Sequence, residues 1–306
     1  MKDTVLVVCG PTASGKTAFA VQMAKRLQSE VISADCMLIY KGLTIGTAKP
    51  SEREKCGITH HMIDILSPDE NFSASDYAEL SVPICERILK KGRVPVICGG
   101  TGFYIQSLLF RRSLGNIGSD SNIRARYEKI AEEKGNIFLH EKLTEIDPES
   151  AAVLHPNDVK RVIRALEIYE LTGRKKSLQQ DGFTPRFSYV AVAFNYPREE
   201  LYSRIDQRVD QMLAEGLVDE VSALLASGVG KDCQSMCGIG YKEVVQYLEN
   251  KISYSTMREI IQKNSRNYAK RQITFFKKLP GLIWLDPRKE NNLNEVEDLL
   301  CKQSGK

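Results

Sequence analysis

The sequence predicts an α/β protein, a parallel sheet flanked by helices and interrupted by a helical insertion. Three observations predict it. The chain opens on an apolar, β-branched run, Thr4–Cys9, that leads straight into a glycine-rich turn and a helical pattern. Short apolar runs at Val31–Ala34, Val94–Cys98 and Tyr189–Phe194 alternate with helix-spaced segments, as parallel strands joined by right-handed crossovers do. From about Arg111 to Arg186 that alternation stops and no buried strand is recognisable. The sheet core is therefore assigned to residues 1–110 and 187–306, and the insertion to 111–186.

Taken in order, Thr4–Cys9 is apolar throughout rather than alternating, which marks a strand covered on both faces. Lys16–Leu27 follows as a helix, with Phe19, Ala20, Met23, Ala24 and Leu27 on one face. Val31–Ala34 and Val94–Cys98, the latter ending at Gly99-Gly100, are the next strands. A Gly/Ser/Asn/Asp stretch, Leu114–Asn122, opens the insertion. A helix begins after Pro156-Asn157-Asp158, where an Asn or Asp can cap it. Val159, Val162, Ile163, Leu166 and Tyr169 form its apolar stripe, and Gly173 can close it. Beyond the strand Tyr189–Phe194 one long helix is expected from Arg198 to Ala226. Further helices run to Lys278, and Leu282–Leu285 reads as a last strand.

Composition narrows the class. With 42% hydrophobic and 27% charged residues in a chain of 306, the balance is that of an ordinary globular protein. No apolar run is long enough to span a bilayer, and the start carries no cationic, apolar targeting segment. A cytoplasmic protein with no membrane partner is expected. Of the eight cysteines, Cys9 and Cys98 end strands and Cys85 lies in a helical pattern, the placement of free thiols. Cys233 and Cys237 lack a second Cys/His pair at zinc-site distance, so no zinc is expected there. The adjacent His60-His61 would point in different directions, which also argues against a metal site and leaves a structural or substrate-proximal role. The net charge is only +4, but its distribution is uneven. Between Arg258 and Lys278, seven basic residues face the single acid Glu259. Between Lys160 and Lys176, six face Glu167 and Glu170. Two such runs in one chain point to a polyanionic partner larger than a nucleotide.

GPTASGKT, residues Gly10, Pro11, Thr12, Ala13, Ser14, Gly15, Lys16 and Thr17, satisfies the G-x-x-x-x-G-K-[ST] pattern between strand and helix. Such a loop turns successive backbone N–H groups onto an anion, and the helix N-terminus adds partial positive charge. Lys16 can reach terminal phosphate oxygens, and the Thr17 hydroxyl is placed to ligate Mg²⁺. The core is therefore P-loop NTPase-like. The loop names a phosphate ligand without naming a reaction, and the default for it is an ATP- or GTP-using enzyme, such as a small-molecule or nucleoside kinase. An RNA-stimulated ATPase is a further reading. Against a kinase, Val94–Cys98 ends in Gly-Gly-Thr rather than in a carboxylate. The strand-end carboxylate is instead Asp35, and strand ends converge on one crevice, so Asp35 and Thr101 should both face the loop.

Seven strings now appear in order: GPTASGKT, SADCMLIYKGLTIGTAKP, HHMIDI, VICGGTGFY, HPNDVKRVIRALEIYELTG, GIGYKE and YAKRQITFF. Together they resemble the tRNA dimethylallyltransferases of bacterial type over essentially the whole chain. The resemblance implies transfer of a dimethylallyl group from its diphosphate to the exocyclic amine of the adenosine 3′ of the anticodon, in tRNAs reading codons that begin with U. It implies Asp35 as the catalytic base, Thr101 as its partner in positioning, and Arg208 as a cation on the leaving diphosphate, with Arg204 a weaker candidate. Residues Gly10 to Thr17 would bind the diphosphate with Mg²⁺. It further implies tRNA contacts from Asp35, Cys36, Met37, Leu38, Thr101, Arg124, Lys160, Arg161, Arg164, Arg266, Lys270, Arg271 and Gln272. The insertion would grip the anticodon stem-loop, and a monomer is expected. Cys36 departs from the family's usual serine, which weakens any side-chain hydrogen bond there.

Overall fold

The computed structural model describes residues 4–111, 118, 120–178 and 184–304. Two compact units separate, residues 1–109 with 186–306, and residues 110–185. In chain order the elements are β1 (Thr4–Cys9), α1 (Lys16–Arg26), β2 (Val31–Ser33), α2 (Glu52–Lys55), β3 (His60–His61), α3 (Ala74–Lys90), β4 (Val96–Gly99) and α4 (Gly102–Leu109). The second unit holds β5 (Phe110–Arg111), α5 (Ser121–Lys134), α6 (Asn136–Ile146), α7 (Pro148–Val153), α8 (Val159–Thr172) and β6 (Thr184–Pro185). The first unit then resumes with β7 (Ser188–Phe194), α9 (Arg198–Ala214), α10 (Leu217–Ala226), α11 (Tyr241–Leu248), α12 (Tyr254–Phe276), β8 (Leu282–Leu285) and α13 (Asn292–Ser304).

The sheet of the first unit has six strands in the order β3-β2-β4-β1-β7-β8, every pair parallel. β1 is central and buried along its whole length, as its unbroken apolar run requires. Leu6 and Val8 share one core with Phe19, Ala20, Met23 and Ala24 of α1 and with Val296 and Leu300 of α13. That packing fixes α1, and with it the preceding loop, against the C-terminal end of β1.

Three details differ from expectation for physical reasons. The third strand starts at Val96, not Val94, because Pro95 has no N–H to give a ladder, although its carbonyl accepts from Leu6 N–H at 2.9 Å. The long helix expected over Arg198–Ala226 is two helices. Gly216, with φ of +100°, breaks the α-helical path and becomes the N-cap of α10. An edge strand also forms at His60–His61 on β2, a pair of residues with no strand pattern of their own. The two rings diverge as neighbours in a strand must. His60 Nδ1 meets the Ile58 carbonyl at 2.8 Å, and His61 Nε2 meets Glu30 at 2.6 Å. Both are tied into the sheet edge, and neither lines the cavity described below.

In the second unit, Leu139 and Leu143 of α6 and Ala151 of α7 pack on Val162, Ile163 and Leu166 of α8. Gly173 closes α8 in the left-handed conformation. Asp158 precedes the helix without a side-chain cap bond and pairs with Arg161 at 2.9 Å instead. Tyr169, expected on the apolar stripe, is 37% exposed, whereas Ala165 and Ile168 are buried. Glu167 is also fully buried. A buried carboxylate persists only with its lone pairs answered, and here Arg124 Nε (2.9 Å), Arg164 (2.6 Å) and the Asp120 N–H (2.8 Å) donate to it. The β5–β6 pair is antiparallel. The stretch Leu114–Asn122 falls largely outside the described residues.

Candidate active site

The glycine-rich loop lies between β1 and α1. Gly10, Ala13 and Gly15 all take positive φ, +127°, +59° and +80°, which curls the chain tightly ahead of the helix. Ser14 is buried, and its hydroxyl donates to the Pro11 carbonyl at 2.9 Å. Lys16 Nζ donates to the same carbonyl at 3.2 Å. Gln272 of α12 braces the loop from the side, its Oε1 accepting from Thr12 N–H and its Nε2 donating to Gly100 O, both at 2.9 Å. That amide is thus committed to two backbone groups. It thereby sits between the phosphate loop and the loop after β4, and it also borders the cavity described next.

A cavity of about 460 Å³ opens at the C-terminal ends of the strands, lined by Thr12, Lys16, Thr17, Asp35, Cys36, Met37 and Leu38 among others. Asp35 and Cys36 follow β2. Asp35 Oδ1 accepts from Met37 N–H at 2.9 Å. Thr101, after β4, accepts from Cys36 N–H through its hydroxyl at 3.0 Å, and its own N–H donates to Ala34 O at 3.0 Å. Thr101 was expected to face the ligand. Its hydroxyl braces the Asp35-Cys36 turn, next to the cavity-lining Cys36, and Thr101 is not itself among the lining residues. The two strand ends approach so closely that a Cβ on Gly99 would collide with the Ala34 carbonyl, so glycine there is a steric necessity.

Arg208, on α9, reaches the same cavity and donates to Thr47 O at 3.3 Å. Burial lowers its pKa, opposed by Asp35 and Glu54. Burial likewise lowers that of Lys16, with Cys98 and Asp35 acting the other way and Arg208 reinforcing the drop. Two cations and a carboxylate, each half-buried, thus line one cavity close enough to influence one another. Arg204 lies outside the lining, bonded to Ala13 O at 2.9 Å and stacked over Tyr196. Burial pushes the Cys36 and Cys98 thiols up to about 11 each, so neither is a ready nucleophile. The lining also includes the apolar side chains of Ile205, Val209, Met212, Ile239 and Ile261, interspersed with Tyr241, Ser265 and Tyr268.

One carboxylate that sequence reasoning missed organises the cavity rim. Glu220 of α10 accepts from Thr44 N–H (2.9 Å), Ile45 N–H (2.7 Å), Gly46 N–H (3.2 Å) and the Tyr241 hydroxyl (2.7 Å). This joins the TIGTAK loop to GIGYKE, and it carries Thr47, the acceptor of Arg208. A Cβ on Gly46 would lie 2.6 Å from the Tyr241 ring, which accounts for glycine in that loop. The only signal in the sequence was the pairing of two glycine-containing motifs far apart in the chain.

The remaining expected contacts divide into two groups. Arg124 and Arg164 are clamped on Glu167, and Arg266 pairs with Asp206 at 2.5 Å. Lys160, Arg161, Lys270 and Arg271 are exposed, and Arg271 also borders the cavity and lies over the Tyr268 ring. Thr17 is exposed at the start of α1 beside Asp35. Hard oxygen donors of this kind suit Mg²⁺ held chiefly by phosphate oxygens. Among the described residues no group of three His, Cys, Asp or Glu side chains gathers to hold a metal. Among the same residues no helix is long and apolar enough to cross a membrane.

A parallel sheet feeding a glycine-rich loop and helix, with Lys16, Thr17, Asp35 and Arg208 around one cavity, defines a P-loop-like α/β protein. The family model described as IPP transferase matches residues 38–279, and the chain belongs to that family. It is 46% identical over 287 residues to a tRNA dimethylallyltransferase of Acetivibrio thermocellus, covering 93% of this chain and 92% of the relative. Identity to the corresponding protein of Halalkalibacterium halodurans is 43%, over 94% and 92%. Among solved structures, a tRNA isopentenylpyrophosphate transferase from Bacillus halodurans superposes with a TM-score of 0.74 at 39% identity, covering 99% of this chain and 97% of that one. A eukaryotic dimethylallyltransferase acting on tRNA gives 0.80 at 28% identity, over 97% and 78%.

Proposed function

We propose that this protein transfers a dimethylallyl group from dimethylallyl diphosphate to the exocyclic amine of the adenosine 3′ of the anticodon, in tRNAs reading codons that begin with U. One observation carries the reading furthest. A single cavity is lined by Lys16, Thr17 and Arg208, groups suited to a diphosphate, by the carboxylate of Asp35, and by apolar side chains suited to a prenyl chain, Ile205, Val209, Met212, Ile239 and Ile261. A kinase site needs no apolar wall for a prenyl chain. Nor do the strands flanking β1 end in a carboxylate, since β4 runs into Gly99-Gly100 and β7 into Asn195. The activity of the family and of its relatives agrees with this and does not favour the kinase reading.

In the proposed reaction the adenine amine attacks C1 of the allylic chain as the C1–O bond breaks. The diphosphate leaves with the bonding electrons, and Asp35 takes the proton released from nitrogen. Lys16, Arg208 and the backbone N–H groups at the start of α1 answer the charge that grows on the leaving oxygens. Thr17, with the diphosphate oxygens, would hold Mg²⁺, which supplies further neutralisation of that charge. The target base lies within a stacked loop, so it must be turned out to reach Asp35. Lys160, Arg161, Lys270 and Arg271 would meet RNA phosphates, a role their exposure supports; such contacts position RNA without reading its sequence.

The test is to incubate the protein with unmodified tRNA, labelled dimethylallyl diphosphate and Mg²⁺. Label in RNA at the adenosine 3′ of the anticodon is expected. ATP turnover with no label in RNA would sink the proposal. A further prediction concerns Glu220. Glu220→Gln keeps the size of the side chain but puts an NH₂ where one acceptor oxygen stood, leaving at least one of its four donors without a partner. Loss of such a bond costs about 1–3 kcal/mol, and the rim loop opposite Arg208 should loosen accordingly. The donor KM is expected to rise about 10-fold, with tRNA affinity unchanged in a gel-shift titration.

A further inference from the structure

We propose that Phe103 is a stacking platform for an unpaired nucleobase next to the target adenosine, a subsite outside the catalytic cavity. The inference rests on the tRNA reading above and extends it to a surface that reading does not use. Phe103 follows Thr101 by two residues, in the first turn of α4, and is 60% exposed. A single exposed apolar side chain on a protein surface needs no explanation. This one is built into its position. Its ring meets the half-buried Phe275 of α12 edge-to-face, with centroids 5.1 Å apart. Phe275 in turn occupies the space a Cβ on Gly102 would need, so any side chain at 102 would collide with that ring. The glycine admits Phe275, and Phe275 buttresses Phe103, which stays largely open to solvent.

The platform adjoins the cavity. Tyr268, Gln272 and Phe275 stand at i, i+4 and i+7 along α12, one face of the helix, and the first two line the cavity. Arg271 lies one turn before Phe275 and borders the cavity too. One turn is roughly 5.4 Å, about the reach between neighbouring nucleotides once a loop is unstacked. The segment that carries Phe275 is cationic, with Lys270, Arg271, Lys277 and Lys278 all exposed on α12 or just past its end. An aromatic face within a basic rim is the combination that binds unpaired nucleotides. The chemistry also needs such a surface. Turning the target base out of the stack deprives its neighbour of a stacking partner, and a ring fixed beside the cavity mouth replaces it.

The test compares the full-length protein with its Phe103→Ala and Phe103→Trp variants, using unmodified anticodon stem-loop RNA as the probe. Phe103→Ala is expected to raise the Kd and the tRNA KM about 10-fold, leaving the donor KM and Tm as they are. Phe103→Trp should restore affinity. Because the natural chain has one tryptophan, the fluorescence added by the variant reports position 103, and RNA should quench it. Affinity of Phe103→Ala within twofold of the natural protein, in a protein that binds and prenylates RNA, overturns the stacking subsite alone. Phe103→Trp emission unmoved by saturating RNA overturns it equally. Failure of the unaltered protein to bind or label RNA overturns the tRNA reading and this subsite with it. A self-association seen by sedimentation and lost in Phe103→Ala, with RNA affinity unchanged, would assign the face to a second copy and overturn the proposal.

Discussion

Asp35→Asn will lower the rate of dimethylallyl transfer by about 10²- to 10⁴-fold, the range in which a positioned general base contributes, and will leave tRNA affinity within a few-fold of the natural protein. The choice of Asn follows from the geometry. Asp35 Oδ1 accepts from Met37 N–H at 2.9 Å, and an amide oxygen can do the same, so the turn after β2 keeps its shape. Among the described residues Oδ2 takes no hydrogen bond, and it is the oxygen left to meet the amine. An amide nitrogen in its place cannot accept the proton. Asp35 also lies close enough to Lys16 and Arg208 to influence both electrostatically. Removing its charge therefore leaves the two cations more strongly paired with the diphosphate, and donor affinity should hold or improve. Single-turnover measurement with saturating tRNA isolates the chemical step. A variant that keeps more than a tenth of the natural rate would remove Asp35 from the role of base, and a matching loss of tRNA affinity would make it a binding residue instead.

How far the sequence could be read depended on whether a feature is local or assembled. β1, the glycine-rich loop and α1 are contiguous, and an unbroken apolar run followed by a curling loop can form in one way only. The same holds for Leu282–Leu285, a short apolar run at a sheet edge. The strand at His60–His61 was invisible because two polar residues carry no periodicity, and β2 alone gives them their ladder. The break at Gly216 was legible in principle. A lone glycine in a helical pattern is often tolerated, and only its φ of +100° in the fold decides that this one is not. The arginines show the opposite limit. Arg124 and Arg164 read as cations for RNA, and the fold turns both onto Glu167, a buried charge that no stretch of local sequence announces. Glu220 lay equally out of reach, since three of its four partners, Thr44, Ile45 and Gly46, are 174 to 176 residues earlier in the chain. Gln272 reads as a polar residue in a basic run, yet it is the brace between two loops joined only in the folded state.

Lys16→Met will lower transfer by about 10²- to 10³-fold, as the loss of one donor or cation aimed at developing charge does in comparable sites. The substitution keeps an unbranched side chain of similar reach, so the loop around it should hold. Its curl depends on Gly10, Ala13 and Gly15 at positive φ, and the Pro11 carbonyl that the ammonium leaves still accepts from Ser14. What is lost is the charge beside the leaving oxygens, leaving Arg208 and the amides of α1 to answer it. The effect should concentrate on the chemical step, because negative charge on the departing oxygens grows as the C–O bond breaks. The pH dependence gives an independent check of sign. Burial lowers the Lys16 pKa from its ordinary value of 10.5, so the ammonium in the donor-free protein is lost at a lower pH than a solvated lysine would be. kcat/KM for the donor reports the free enzyme and should fall along an alkaline limb below pH 10.5. In Lys16→Met that limb should be absent. An alkaline limb that persists unchanged in the variant would show that another group governs it, and a rate within threefold of the natural protein would leave Arg208 and the helix amides as the principal stabilisers of the leaving diphosphate.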